Sequence, residues 1–292
     1  MKRSLLFLPG NNPNMLINGD ALGADAVILD LEDAVSPDEK DAARILVRNT
    51  LRHIDFGKVE RGIRINGIAD DGFWKLDLDA VVPLKPNFIL APKVRDAAYI
   101  CDVSDYIGEI EAKHNIPQGS VRIIALIESA LGIENAFHIA AADPRVEAIF
   151  LGAEDLTADL RSGRTKSGEE IAYARGRMVA AGRAAGVDVY DTPFVDVNDD
   201  AGAVAETELA KTFGFSGKVA ISPRHVPLIN RVFSPTEAEV DYARQVIEAI
   251  EEAKAQGKGA ISLYGKMIDL PIVLRAEQTL AIDKAIRGGA GR

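Results

Sequence analysis

The chain has 292 residues, a length at which a second full domain is not expected. Hydrophobic residues make up 47% of the sequence and are spread along its length, so the chain can bury one large core. Its formal net charge of −10 argues against a nucleic-acid partner, which would need a clustered basic surface. Cys101 is the only cysteine and no apolar run reaches the roughly 18 residues of a membrane span, so we expect a cytoplasmic protein with no internal disulfide and no membrane partner.

The first apolar run, residues 1–10, superficially resembles a signal peptide. It is too short for one and is broken at once by Pro9 and Gly10, so we interpret it as a buried first strand. Further short apolar runs follow, separated by longer helical patterns. In chain order, the predicted strands are 4–8, 26–31, 62–65, 88–91, 122–127, 148–151, 187–190 and 218–221.

Short strands that alternate with helices are typical of βα units around a parallel sheet. Eight such units favour the fold class α/β with a closed (β/α)₈ TIM barrel, because an open doubly wound sheet more often has about five to seven strands. Between the strands, Ser36-Pro37-Asp38-Glu39 combines a capping serine, a proline and an acid that can complete a capping box. This segment predicts where the second helix begins.

The last part of the chain exceeds what a barrel needs. Pro235 opens an acidic amphipathic helix to about residue 255, Gly257-Lys258-Gly259 forms a link, and a final helix is predicted from Pro271 to about Arg287. We therefore predict a TIM barrel catalytic domain over 1–233. We expect residues 234–292 to form a C-terminal helical extension that contacts a neighbouring subunit.

The carboxyl ends of the predicted strands carry an unusual number of charges. In a TIM barrel these ends converge on one face, where active sites lie. Like-charged carboxylates crowded into a poorly solvated pocket repel one another unless a metal ion or tight ion pairing neutralises them. The charged residues at the strand ends are Asp30, Glu32, Asp33, Arg64, Lys93, Glu128, Glu154 and Asp155.

The residue types at these ends favour magnesium over zinc. None of the four histidines, His53, His114, His138 and His225, lies at a strand end in metal-ligand spacing with another. Magnesium usually takes one or two carboxylates, keeps several waters and leaves room for substrate oxygens. We predict that Glu128 and Asp155, on consecutive strand ends, bind Mg²⁺, although either acid alone would equally well cap the helix that follows.

Arg64 provides the complementary charge at the barrel mouth. A guanidinium there can bind a substrate carboxylate through two parallel hydrogen bonds, so we expect an anionic substrate. The backbone amides of Gly152, Ala153 and Glu154 open the next helix and can add donors for an anion. The three acids after the second strand are Asp30, Glu32 and Asp33. They have three interpretations: support of the metal site, simple pairing with Arg64 or Lys93, or, less favoured, direct binding of the metal.

Several of these segments together resemble motifs of the HpcH/HpaI aldolase and citrate lyase β-subunit superfamily. The similar segments extend over nearly the whole chain and are 3–10, 30–35, 64–66, 127–129, 152–160 and 265–271. Within the superfamily, residues 164–170 with Tyr173-Ala174-Arg175 are most similar to the citrate lyase β-subunit family. The resemblance implies cleavage of a citryl thioester, carried by an acyl carrier protein or CoA, to oxaloacetate and an acetyl thioester.

The resemblance also implies roles for individual residues. Glu128 and Asp155 match magnesium ligands, and Arg64 matches a substrate-binding and catalytic arginine. Asp269 matches an aspartate that, in related acyl-CoA lyases, reaches a neighbouring subunit's site as acid or base. A homotrimer or a hexamer would follow, with the α and γ subunits of citrate lyase as partners.

The sequence departs from the family pattern at two places. Ser222-Pro223-Arg224-His225 stands where the family commonly has His-Pro or Asn-Pro followed by glutamine, and Arg161 replaces a usual glycine. The acyl group and its carrier therefore stay open, and a citramalyl-CoA or malyl-CoA lyase would use the same residues. A non-catalytic scaffold subunit is an alternative of another class.

Charges near the barrel mouth bear on two further alternatives. A phosphate-binding isomerase is not favoured, because the segment after the seventh strand carries four acids that would repel a phosphate: Asp191, Asp196, Asp199 and Asp200. A basic cluster, Arg161, Arg164 and Lys166, either receives the phosphates or acidic surface of a thioester carrier or is a solvated loop.

Overall fold

The computed structural model describes residues 2–69, 72–255, 261–263 and 266–290 and divides the chain into two compact units, Met1–Arg231 and Val232–Arg292. The first unit contains a closed barrel of parallel strands in the order β1 to β8, in which β8 also pairs with β1. The predicted (β/α)₈ fold class, with its helical C-terminal segment, is confirmed. The predicted boundary after residue 233 and the subunit contact of residues 234–292 stay predictions.

Each predicted apolar run overlaps a barrel strand, with ends that agree to within two residues. The strands are β1 Ser4–Pro9, β2 Ala26–Asp30, β3 Glu60–Arg64, β4 Phe88–Ala91, β5 Arg122–Ile127, β6 Val146–Leu151, β7 Asp188–Asp191 and β8 Gly217–Ala220. Their ends differ slightly from the predicted ones because polar residues also pair in the sheet. Glu60 and Arg61, for example, pair with Ala26 and Val27.

Helices follow the strands around the barrel. They are α1 Pro13–Ile17, α2 Lys40–His53, α3 Phe73–Val81, α4 Ala97–Lys113, α5 Ala130–Glu134, α6 Ala136–Ala140, α7 Ala153–Asp159, α8 Ala172–Ala185, α9 Asp200–Phe213 and α10 Val226–Phe233. The predicted start of the second helix is wrong, because Pro37–Glu39 form a 3₁₀ turn and Ser36 makes no side-chain cap. Glu39 instead accepts a hydrogen bond from the Asn11 side chain, so it does not complete a capping box.

The second unit contains α11 Glu237–Ala255, an antiparallel strand pair, β9 Ile261–Leu263 and β10 Lys266–Ile268, and α12 Leu270–Ala290. Its core joins the two helices, with Val246 of α11 and Val273 of α12 among the buried residues. The predicted link 257–259 lies outside the described residues. Across the part of the chain that is described, no helix is both long and apolar enough to cross a bilayer.

The barrel interior sets which residues reach the active face. Side chains alternate along a strand, so residues two apart point to the same side. The buried interior cluster is Leu5, Ala26, Ile28, Phe88, Leu90, Ile124, Leu126, Ala148, Phe150, Tyr190 and Val219, with Phe7 packed against it. The positions in phase with this cluster at the carboxyl ends are Asp30, Arg64, Glu128, Gly152, Thr192 and Ile221. These residues should therefore form the next layer, above a dry apolar core.

Candidate active site

A cavity of about 300 Å³ lies where the in-phase positions predict it. Phe7, Leu126 and Phe150 give it an apolar floor that belongs to the barrel core. The full lining is Phe7, Pro9, Asp30, Asp33, Ala34, Arg64, Leu126, Glu128, Phe150, Gly152, Ala153, Glu154, Asp155, Thr192, Pro193 and Ile221. Among the described barrel residues predicted for the site, Glu32 alone is absent from this lining.

Glu128 is held in an environment that disfavours its charge. The residue is 8% exposed, and its Oε1 accepts the Lys93 backbone N–H at 2.8 Å. Burial, followed by the negative charges of Asp155 and Glu32, raises the pKa of Glu128 to about 8. A Cβ at Gly152 would lie 2.7 Å from both Cβ and Oε2 of Glu128. Any residue other than glycine at position 152 would therefore collide with the Glu128 side chain.

Lys93 contacts the acidic residues in two ways. Its φ of 54° puts the backbone in the left-handed region, which is uncommon for a residue other than glycine. In this conformation its N–H donates to Glu128, while its Nζ lies 2.6 Å from Glu32 Oε1. The sequence identified the lysine as a charge but gave no sign of the backbone contact, because nothing in the residue type indicates a positive φ.

Arg64 is largely enclosed by carboxylates and an aromatic ring, and its side chain is 12% exposed. Its Nε donates to Asp30 Oδ1 at 2.7 Å, Nη2 donates to Asp30 Oδ2, and Nη1 lies 2.9 Å from Glu32 Oε2. Its Cζ lies 4.7 Å from the centroid of the Phe7 ring. Burial opposes the charged form, but the hydrogen bonds and charge of Asp30 and the charge of Glu32 raise the pKa of the guanidinium. A substrate carboxylate would therefore meet the remaining N–H groups, because Asp30 already takes one edge of the fork.

The donor set suits a magnesium ion. Within the described ranges, no group of three or more histidine, cysteine or acidic side chains is placed to hold a metal. The Glu128 and Asp155 pair matches magnesium's use of one or two carboxylates. A divalent cation would also neutralise the repulsion that raises the pKa of Glu128. The residues present therefore fit the ion.

A second, more polar cavity of about 290 Å³ shares these two carboxylates. Its lining is Lys93, Arg95, Glu128, Ser129, Asp155, Ala158 and Asp159. Glu128 and Asp155 thus border an apolar space on one side and a charged space on the other. A ligand held at the pair can extend into either.

This arrangement can be set beside known proteins. The family model described as HpcH/HpaI aldolase/citrate lyase matches residues 3–223. The chain belongs to this family. It is 44% identical over 285 residues to the citrate lyase subunit beta of Leuconostoc mesenteroides subsp. cremoris, which covers 98% of this chain and 94% of that protein.

Two further similarities concern related chemistry. The chain is 36% identical over 284 residues to a (3S)-malyl-CoA thioesterase of Cereibacter sphaeroides, covering 97% of this chain and 95% of that protein. It is also similar to the crystal structure of protein CitE from Mycobacterium tuberculosis in complex with magnesium, acetoacetate and coenzyme A. That similarity has a TM-score of 0.79 and 30% identity, and it covers 96% of this chain and 97% of the other.

The two departures from the family pattern have local structural consequences. Arg161 follows α7 with a φ of 57°, so the glycine usual in the family matches a backbone conformation that glycine adopts most easily. Ser222 caps the short turn Pro223–His225, where its Oγ accepts the Arg224 N–H at 3.3 Å. Ile221, just before it, lines the cavity.

Two cations of the predicted basic cluster are already paired. Arg164 lies 2.8 Å from Glu170, 3.2 Å from Glu206 and 3.3 Å from Glu154, and its side chain is 14% exposed. Lys166 lies between Asp196 and Asp199, at 3.1 and 2.6 Å. These contacts favour a structural role for Arg164 over an open phosphate site.

The acids after β7 are also paired, which changes one argument from the sequence. Asp191 is buried against Arg175 and Lys218, and Asp200 pairs with Arg224 at 2.7 Å. Their charge is compensated, so repulsion of a phosphate is not a sound reason to exclude an isomerase. The distinction between a lyase and a phosphate-binding isomerase therefore rests on membership of the family and not on charge repulsion.

Asp269 belongs to the second unit. It is exposed and directly precedes α12, where its Oδ1 accepts the Ile272 N–H at 3.4 Å. This is the position of a helix N-cap. Its predicted role as an acid or base stays a prediction.

Proposed function

We propose that this protein cleaves the carbon–carbon bond of a citryl thioester, with Mg²⁺ bound by Glu128 and Asp155. The observation that carries the proposal is the cavity at the barrel mouth, where the buried Glu128 and the exposed Asp155 lie in the same lining as Arg64. The repulsion between the two carboxylates favours a bound cation. The similarity to citrate lyase subunit beta and to a structure with magnesium, acetoacetate and coenzyme A supports it.

The reaction is a retro-aldol cleavage. The hydroxyl group of the citryl unit loses its proton, and the bond between the hydroxyl-bearing carbon and the methylene next to the thioester breaks. The electron pair of that bond passes to the thioester as an enolate, which then takes up a proton. The products are oxaloacetate and an acetyl thioester, and no oxidant or reductant is needed.

Bound magnesium would supply Lewis-acid stabilisation of the oxygen on which charge develops. Arg64 would hold a substrate carboxylate through N–H groups that Asp30 leaves available. Asp30 and Glu32 keep this guanidinium charged and fixed, so little reorganisation is required as charge builds up. Asp269 would move the proton. Of the three predicted amide donors, the Gly152 N–H donates to the Ile127 carbonyl at 3.0 Å and the Ala153 N–H to Thr192 Oγ1 at 3.2 Å, so the Glu154 N–H is the one we propose to face the bound anion.

The family assignment also motivates proposals about assembly. We infer that the protein works in the cytoplasm as a homo-oligomer, a trimer or hexamer, in which Asp269 and the second unit of one subunit serve the site of another. The α and γ subunits of citrate lyase and an acyl carrier protein are the proposed partners. Exposed apolar side chains of the second unit, Met267, Leu270 and Leu274, are suited to such a contact.

A metal-dependent product assay over a small thioester panel tests the function. We expect oxaloacetate from citryl thioesters only with Mg²⁺, and no turnover by Asp155→Ala, which should keep its fold because Asp155 is exposed. Full turnover by this variant would refute the assignment of Asp155. Absence of Mg²⁺ binding by the wild type would favour a non-catalytic scaffold.

The similarity to a (3S)-malyl-CoA thioesterase supports a second candidate. A citramalyl-CoA or malyl-CoA lyase would use the same carboxylates, arginine and aspartate. Comparison of citryl-carrier protein, citryl-CoA, citramalyl-CoA and malyl-CoA in the same assay distinguishes the candidates. Product from malyl-CoA or citramalyl-CoA with none from citryl thioesters would replace the first proposal by the second.

A further inference from the structure

A buried cluster of charges lies behind the site, on the side of β7 and β8 that faces the helices. Its members are Arg175 of α8, Asp191 of β7, Glu206 of α9 and Lys218 of β8, and each is at most 6% exposed. Arg175 donates from Nε to Asp191 Oδ1 and from Nη2 to Asp191 Oδ2, both at 3.0 Å, and from Nη2 to Glu206. Lys218 Nζ donates to Asp191 Oδ2 at 2.7 Å.

Such a cluster needs a reason other than stability. Desolvation of buried charges offsets most of their attraction, so a well-packed apolar core would often be as stable. The cluster is, however, connected to the cavity through Thr192. Lys218 Nζ donates to the Thr192 carbonyl at 2.6 Å, and Thr192 lines the cavity.

Thr192 in turn contacts the first residue of α7. The Ala153 N–H, one of the donors at a helix N-terminus that have no partner within the helix, donates to Thr192 Oγ1 at 3.2 Å. The residue before it, Gly152, has no side chain to cap the helix, and any side chain there would collide with Glu128. The cap for α7 is therefore supplied by the residue that follows β7, whereas α7 itself follows β6.

Asp155 lies in the same first turn of α7. A second contact reaches this turn from the cluster, because Arg164 lies 3.2 Å from Glu206 and 3.3 Å from Glu154. Glu154 is exposed, so this ion pair is the weaker of the two connections. The first turn of α7 is thus fixed from two directions by charges that do not line the cavity.

We propose that Thr192 is a positioning residue: held by the cluster of Arg175, Asp191, Glu206 and Lys218, it caps α7 and places Asp155 for metal binding. This inference rests on the proposed function, because it concerns the geometry of the proposed magnesium site. The role of the cluster is then to keep Asp155 in the correct position, and not to stabilise the barrel.

Binding of Mn²⁺, measured by electron paramagnetic resonance on the whole protein, tests the inference without a substrate. Thr192→Val removes the oxygen that accepts the Ala153 N–H but keeps the side-chain shape, and we expect its dissociation constant for Mn²⁺ to rise at least about fivefold. Thr192→Ser keeps the hydroxyl and should stay within about twofold of the wild type. Lys218→Met should weaken Mn²⁺ binding as Thr192→Val does.

Thermal unfolding of each variant separates positioning from general damage. Thr50, a buried threonine of α2 outside the cluster, gives the matched control, and Thr50→Val should leave Mn²⁺ binding unchanged. Should Lys218→Met fail to fold, Thr192→Val and Thr192→Ser still decide. Wild-type affinity in Thr192→Val would overturn the inference alone, whereas wild-type protein that binds Mn²⁺ no better than Glu128→Gln would overturn the proposed function with it.

Discussion

Glu128 combines three constraints in one side chain: burial, a fixed hydrogen bond from Lys93, and contact distance to any side chain at position 152. Each constraint opposes movement of its carboxylate. A metal ligand that is fixed before binding loses little conformational entropy when the ion arrives. Burial also makes the ionised form of Glu128 unfavourable when no metal is bound, and the pH dependence of unfolding can measure this cost.

The first prediction concerns the pH dependence of the metal-free protein. The pKa of Glu128 is about 8 in the folded state against an ordinary value of 4.5, so the folded protein holds more protons between these limits. The free energy of unfolding should therefore fall as pH rises from 4.5 towards 8. Urea unfolding in EDTA should show this slope, and Glu128→Gln, which cannot ionise, should reduce it. Equal slopes in the two proteins would contradict the assignment.

The second prediction concerns Gly152. Gly152→Ala should displace Glu128, since the new Cβ would lie 2.7 Å from Glu128 Cβ and Oε2 and 2.9 Å from Leu126 Cδ1. We expect at least about a tenfold weaker affinity for Mg²⁺, measured by titration calorimetry. Gly176→Ala is the control, because a Cβ there meets nothing within 4 Å. Unchanged affinity in Gly152→Ala would show that the carboxylate has room to move.

The third prediction isolates the backbone of Lys93. Its φ of 54° favours glycine, so Lys93→Gly should be more stable to urea than Lys93→Ala by about 1 kcal/mol. Lys75, within α3, provides the opposite case, where glycine should be less stable than alanine by about the same amount. If Lys93→Ala were the more stable of its pair, the left-handed conformation would not be that of the protein in solution.

At the scale of elements, α7 depends on its ends more than on its length. It has seven residues, too few to be stable alone, and carries Asp155 in its first turn. Its N-terminus is capped by Thr192, and at its C-terminus the Ser162 N–H donates to the Thr157 carbonyl at 2.9 Å. Both ends are therefore set by residues outside the helix.

The fourth prediction concerns the C-terminal end of α7. Arg161 has a φ of 57° at the position where the family usually has glycine, so Arg161→Gly should raise the free energy of unfolding by up to about 1 kcal/mol. Urea unfolding measures the change. Mg²⁺ affinity should stay the same, because Arg161 does not line either cavity. A loss of stability would mean that the arginine side chain makes contacts worth more than the strain.

For the molecule as a whole, our proposal implies that one chain does not complete its own site. Asp269 lies in the second unit, and our proposal places it at the site of a neighbouring subunit. The fifth prediction follows from that placement. Asp155→Ala and Asp269→Asn should each be inactive alone. Mixed oligomers, co-expressed and purified through two different tags, should regain citryl-thioester cleavage because some sites combine both intact residues.

Two controls accompany this experiment. Oligomers of each variant alone, carried through the same purification, should stay inactive. A monomeric protein in sedimentation, or mixed oligomers without activity while each variant keeps its fold, would contradict a shared site. Full activity of Asp269→Asn alone would remove this aspartate from the mechanism.

The sequence alone predicts the barrel, because eight short apolar runs separated by helical patterns admit few other arrangements. It also determined which charges meet at the mouth, since strand ends in phase with the core share one face. Family motifs then connected Arg64, Glu128 and Asp155 to a reaction class. These features depend on residue type and spacing, which a sequence records directly.

The partners of those charges are known only from the folded structure. Asp30 occupies the fork of Arg64, Lys93 reaches Glu128 through its backbone, and Thr192 caps a helix that follows another strand. Each contact joins residues about 30 to 40 positions apart through backbone conformation or rotamer choice. Residue type does not encode the backbone conformation or the rotamer, because the surrounding packing sets both once the barrel has closed.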